Sequence, residues 1–159
     1  KQAIHDRRIG YTKKYHKKYP NAKIINSHRS RMYSILKCDK PRYSSLKVLG
    51  CSKKFFEAWI KFQLNNNQTM ENHGSVWHLD HCLPCTLFDV SKEEDVMRCF
   101  HWSNVQPLDK LKNYSKGNRT NKMEQLFQNL KEKVFIKVYQ AECDENDYTI
   151  IDYNRNKYI

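Results

Sequence analysis

The chain has 159 residues, 39% of them hydrophobic and 13% aromatic, and a formal net charge of +12. It is long and apolar enough to pack a core without disulfide staples, which excludes a disordered polypeptide despite a mean hydropathy of -0.90. No apolar run approaches the ~20 residues that a membrane-spanning helix needs, and six irregularly spaced cysteines (Cys38, Cys51, Cys82, Cys85, Cys99, Cys143) do not form the framework of a small secreted domain.

The cysteines are therefore expected as reduced thiols in an intracellular compartment, nucleus and cytoplasm being equally open. The first residue is Lys1, not a methionine, which leaves open a fragment of a larger parent chain. Residues 1–60 carry 16 Lys and Arg against Asp6, Asp39 and Glu57, a net +13, while the remainder carries −1. A basic region joined to a nearly neutral body points to a grip on a polyanion.

In chain order, YTKKYHKKY (residues 11–19) places Tyr11, Tyr15 and Tyr19 on one face of a helix, with Lys13, Lys14, Lys17 and Lys18 between them. These lysines are candidate phosphate contacts, and Pro20 and Asn21 end the helix. A second basic helix is expected over SHRSRMYSILK (27–37), with Arg29 and Arg31 as further candidates. SKKFFEAWIKFQL, from Ser52, reads as a helix capped by Ser52 whose Phe56, Trp59 and Ile60 face the core. The run Asn65, Asn66, Asn67 stops it.

SVWHLDHCLP reads as a strand limited by Pro84. SKEEDVMRCF reads as a helix capped by Ser91, its acids placed in the first turn as the helix dipole favours. WSNVQPL is a short second strand or an extended loop, LDKLKNYSKGN a short helix closed by Gly117, and NKMEQLFQNLKEKV a longer amphipathic helix. VFIKVYQ and YTIIDY are expected to pair as a terminal hairpin around the acidic turn AECDEND. The expected organisation is a basic helical arm over 1–48, a central domain over 49–133 and an extension over 134–159.

Three pieces carry the chemistry: Asp80-His81 at the end of a strand, Asn104 in WSNVQPL, and Asn113 nine positions further on in KNYSKGN, with Lys116 three beyond it. Through W-H-L-D-H-x-x-P, W-S-N-x-Q-P-L and N-x-x-K the sequence resembles the HNH, or His-Me finger, endonucleases, in the branch found in phages, large viruses and mobile elements. The resemblance covers roughly Leu49 to Arg119 and includes the LGCS helix Leu49 to Leu64. It implies an α+β fold with a ββα-metal finger over about 75–119, embedded among helices.

Further, the resemblance implies a metal-dependent DNA endonuclease that nicks one strand per active site and leaves a 3′-hydroxyl and a 5′-phosphate. His81 is then the general base, and Asp80 and Asn113 hold one divalent ion. Asn104, grouped with His81 as catalytic, is a hydrogen-bonding residue that shapes the finger, not a ligand. Asn113 stands where many relatives have His, and its oxygen suits Mg²⁺ first and Mn²⁺ second. The partner is double-stranded DNA; a homodimer would be needed for a double-strand break.

The same residue types follow from the reaction itself. Hydrolysing a phosphodiester builds charge on phosphoryl and leaving oxygens, which a divalent cation neutralises, and an imidazole titrating near neutral pH can take the proton of the attacking water. Lys116 and His78, on the strand face of Asp80, are candidates to touch phosphate. A structural zinc is not expected: Cys82 and Cys85 form a lone C-x-x-C pair, and Cys99 and His101 complete it at an unusual spacing. The competing class is a catalytically silent nucleic-acid-binding module on the same fold.

Overall fold

The computed structural model describes residues 12–142. Tyr11 of the aromatic stripe and the YTIIDY segment lie outside them. Helix α1 covers 12–18; the chain breaks at Tyr19 and α2 starts at Pro20, running Pro20–Lys37. Pro20 both ends one helix and opens the next, because a proline lacks the N–H that the first helical position does not use. Tyr15 and Tyr19 are 41% and 47% exposed, and their rings lie 5.0 Å apart.

Three helices follow in order: α3 (Tyr43–Leu49), α4 (Lys53–Gln63) and, beyond the first strand, α5 (Glu93–Phe100). Ser52 caps α4, its hydroxyl accepting from Phe55 N at 3.2 Å. The loop after α4 is tied by asparagines: Asn65 Oδ1 accepts from Asn67 N, and Asn72 Oδ1 from Thr69 N, turns that Asn makes readily. Ser91 is not the cap of α5. Lys92 holds that position without a side-chain bond, because Ser91 Oγ donates to Asp89 Oδ1 at 2.6 Å.

Strands β1 (Trp77–His81) and β2 (Val105–Asp109) pair antiparallel, from Trp77 opposite Asp109 to His81 opposite Val105. Cys82 N donates to Asn104 O and Lys110 N to Val76 O. The ladder bonds therefore fall on even-numbered residues of β1, and Pro107, opposite Leu79, sits where no N–H is required. Helix α6 (Lys110–Lys116) follows β2 at once, capped by Asp109 and ended by Gly117 at φ +55°. The fold is thus α+β, helices around a two-stranded antiparallel sheet.

The last helix, α7, runs Lys122–Glu142. It corrects the expected hairpin: residues 134–140 continue the helix, since Gln128, Phe135 and Tyr139 recur at helical spacing and are the positions buried. Phe55, Trp59, Trp102, Phe135 and Tyr139 pack ring against ring, with Phe55 edge-on to Trp102 at 4.8 Å and Trp59 edge-on to Phe135 at 5.1 Å. Met32 and Ile35 of α2 join this same core. The boundaries at 48 and 133 therefore do not divide the hydrophobic core.

Gly50 ends α3 at φ +77°, and a Cβ there would stand 2.7 Å from His101 Cδ2. Gly50→Ala combines left-handed strain with a displaced ring and is expected to cost about 2 kcal/mol. A thermal melt checks it; an unchanged midpoint would show that His101 yields freely.

Candidate functional site

Strand alternation distributes the candidate residues. His78 and Asp80 point to the face covered by α6, while Trp77, Leu79 and His81 point to the opposite face. At the strand's end the two faces border one cleft of about 470 Å³, lined by Arg29, His73, His78, Asp80, His81 and Asn113 among others.

On the α6 side, Asp80 is buried. Lys116 Nζ lies 2.5 Å from its Oδ2, and Gln106 Nε2, directly across the sheet, donates to the same oxygen at 3.0 Å. The Lys116 ammonium also donates to His81 O at 2.6 Å. Lys116, expected on phosphate, is therefore committed inside the fold: one turn after Asn113 it faces the sheet, and a buried carboxylate draws the nearest cation. Asn113 Nδ2 stands 3.4 Å from His78 Nδ1, and His78 Nε2 3.3 Å from Gly74 O.

On the other side His81 is 5% exposed, its ring edge-on to Phe100 at 5.1 Å. Among the described residues its Nε2 is buried without a hydrogen-bond partner. Beside it lie Cys85, from the turn after Pro84, and Cys99, from α5, and the three ligand atoms fall within 4.8 Å of one another. His81, Cys85 and Cys99 form a group able to hold a metal ion. Cys82 and His101 are not in it: Cys82 leaves the strand on the other side, and His101 Nδ1 is 2.9 Å from Ser103 Oγ. Cys82 is buried, on the strand face opposite His81, as alternation along β1 leads one to expect.

The two sulfurs are unequal. A hydrogen bond with Cys99 pushes the Cys85 thiol down against the effect of burial, helped by His81 and Arg29, whose Nη2 donates to the sulfur at 3.6 Å. The same bond and burial push Cys99 up, and burial pushes Cys82 up. Cys85 is the member inclined to thiolate, Cys99 the one that keeps its proton.

Asn104 stands behind the cleft, not in it. Its Oδ1 accepts from Leu83 N at 2.8 Å, and its Nδ2 donates to Leu83 O at 3.1 Å and Cys99 O at 2.8 Å. It fastens the turn after His81 to the end of α5, and so positions residues without touching the cleft. Of the basic candidates, Arg29 alone lines the cleft; Lys13, Lys14, Lys17, Lys18 and Arg31 are exposed on α1 and α2.

Sequence reasoning missed Gln106 as the cross-strand partner of Asp80, which the strand register would have supplied. It also missed the Cys85–Cys99 pairing, for which thirteen intervening positions carry no periodic signal.

His73 caps the cleft, stacked on Trp77 at 4.4 Å. Burial first, then the charges of Lys37 and His78, lowers its pKa from 6.5 to about 4. The unfolded chain then binds the extra proton between these values, so this contribution to stability is present above 6.5 and lost as the pH falls towards 4. His73→Phe, which keeps the stack, is expected to lose about 2 kcal/mol less than wild type between about pH 7 and about pH 4.5. Urea unfolding at both pH values measures this; equal losses would show that His73 does not drive the acid sensitivity.

Asp80, Asn113 and His78 thus offer a carboxylate, a carboxamide and an imidazole around one cleft. The Asp80 carboxylate keeps acceptor capacity for a hard cation on Oδ1, since its bonds from Lys116 and Gln106 both fall on Oδ2.

Comparison with known proteins defines what the chain is similar to. It is 30% identical over 151 residues to an uncharacterized protein of Acanthamoeba polyphaga mimivirus, covering 95% of this chain and 66% of the relative. It is 38% identical over 91 residues to a second uncharacterized protein of that virus, covering 57% of this chain and 40% of the relative. The chain therefore spans less than two thirds of either. No protein-family profile matches it, and no solved structure matches it significantly.

Proposed function

We propose that the chain is a metal-dependent DNA endonuclease of the His-Me finger kind, nicking one strand per active site. The observation that carries this reading is the convergence of Asp80, His81 and Asn113, from β1 and the helix after β2, on a single cleft. In it His81, which lines the cleft at the end of β1, takes the proton of the attacking water. Asp80 and Asn113 hold one divalent ion, Mg²⁺ before Mn²⁺, and that ion supplies positive charge to the phosphoryl and leaving oxygens. Asn104 keeps the turn after His81 in place, Arg29 offers the cleft a cation, and His78 steadies Asn113. The exposed lysines of α1 and Arg31 meet the phosphates of double-stranded DNA.

The 3′-hydroxyl and 5′-phosphate ends belong to the same reading. One site per chain gives a nick; a second copy, or a further domain of a larger parent chain, is needed for a double-strand break.

One observation favours a second reading. The Lys116 ammonium already neutralises Asp80, as a finger that binds nucleic acid without cutting it would require. Relaxation of supercoiled plasmid separates the two. The nuclease reading expects nicked circles with Mg²⁺ and none with EDTA; a gel shift of intact supercoiled DNA under every divalent metal would leave the binding module.

A further inference from the structure

We propose that His81, Cys85 and Cys99 form a separate site for a thiophilic divalent cation of the zinc class, whose occupation withdraws His81 from proton transfer and silences the nuclease. The silencing rests on the nuclease reading above; the site itself does not.

Three elements build the group: the end of β1, the turn after Pro84 and helix α5. All three residues are buried, at 5%, 3% and 0% exposure, and their ligand atoms lie within 4.8 Å of one another. A tetrahedral zinc ion with bonds of about 2.3 Å to sulfur and about 2.0 Å to nitrogen sets ligand atoms about 3.5 to 3.8 Å apart, so closure by about 1.3 Å at most completes the geometry. Among the described residues no hydrogen bond satisfies the buried His81 Nε2, and such an atom is costly to retain unless it has a use.

Charge and ligand chemistry separate this site from the Asp80 side. Two thiolates neutralise a divalent ion, their protons leaving to solvent as it binds. Arg29 directs an N–H at the Cys85 sulfur from 3.6 Å, which suits a sulfur that carries negative charge. Thiolate sulfur selects a borderline or soft cation, whereas Mg²⁺ keeps to oxygen. Three protein ligands leave one tetrahedral position for water.

A neutral imidazole has one nitrogen lone pair to give, the other nitrogen bearing a proton. His81 bound to metal therefore cannot also accept a proton from water. The hard-metal site and the soft-metal site compete for its function without sharing a ligand.

The test uses the reduced full chain and Co²⁺ as the spectroscopic probe. A thiolate-to-cobalt charge-transfer band is expected in the near ultraviolet, bleached by Zn²⁺ and lost in Cys85→Ser, Cys99→Ala and His81→Ala, with circular dichroism confirming that each variant is folded. Stoichiometric Zn²⁺ is expected to lower Mg²⁺-dependent nicking about 100-fold, the contribution of a general base. Cys85→Ser should nick with Mg²⁺ and resist that inhibition.

Absence of the band in wild type, or its persistence in both cysteine variants, overturns the site. A band with uninhibited nicking overturns the silencing and keeps the site. Absence of nicking under every metal sinks the nuclease reading and the silencing together, while the cobalt band still decides the site.

Discussion

Replacing His81 by alanine is expected to lower metal-dependent nicking by about 10²- to 10⁴-fold, the range that a positioned general base contributes. The residue sits at the end of β1, fixed by an edge contact with Phe100 at 5.1 Å and by the Asn104 clasp on the turn behind it. Its side chain lines the cleft beside Asp80 and Asn113, where the nuclease reading puts the attacking water. The loss should appear in the rate at saturating DNA, with little change in duplex affinity, because the nuclease reading places the phosphate contacts on the exposed cations of α1 and α2. Initial nicking rates beside gel-shift affinities check this. A variant that nicks at the wild-type rate would remove His81 from the chemistry.

Lys116→Met carries the largest expected effect on stability. Asp80 and Lys116 side chains are 9% and 8% exposed, and removing one member of a buried ion pair strands the other charge, at a cost of about 3 to 5 kcal/mol. Gln106 alone would then serve the carboxylate. A divalent cation can take over the neutralisation, so the variant is expected to bind Mg²⁺ at least about tenfold more tightly than wild type, where a nearby ammonium opposes it. Mg²⁺ at about 100 times its dissociation constant should restore about 2.7 kcal/mol. Urea unfolding in EDTA and in Mg²⁺ measures both effects. If Mg²⁺ leaves the variant's stability unchanged, Asp80 is not a metal ligand.

Much of the fold was legible because local signals agreed with tertiary packing. Ser52 marks the start of α4 and Gly117 the end of α6, and the apolar spacing in FFEAWI names the buried face. Where local signals conflicted, packing decided. The β-branched residues around 134–140 suggest a strand, yet Phe135 and Tyr139 fit the aromatic core only at helical spacing. Ser91 resembles a cap, but Asp89 captures its hydroxyl. The basic arm read as an appendage because its charges are plain, whereas Met32 and Ile35, which bind α2 to the core, are two residues among many.

The site was legible where chemistry is carried by adjacent residues and hidden where it crosses the chain. Asp80-His81 stands out as a dipeptide, and Asn113 by its interval from Asn104. That Lys116 would pair with Asp80 depends on which side of a seven-residue helix meets the sheet. Cys85 and Cys99 come together only because α5 returns to the end of β1, and the nearer, more familiar spacing of Cys82 and Cys85 points elsewhere.

The central claim, that this cleft hydrolyses DNA through His81 and an ion held by Asp80 and Asn113, is tested most directly on one supercoiled plasmid. Nicking and binding are measured in the same samples for wild type, His81→Ala and Asp80→Asn, with Mg²⁺ or EDTA. The account predicts Mg²⁺-dependent nicked circles for wild type alone, with comparable gel shifts for all three. Equal binding with no cleavage by any of them, or cleavage that survives both substitutions, would contradict it.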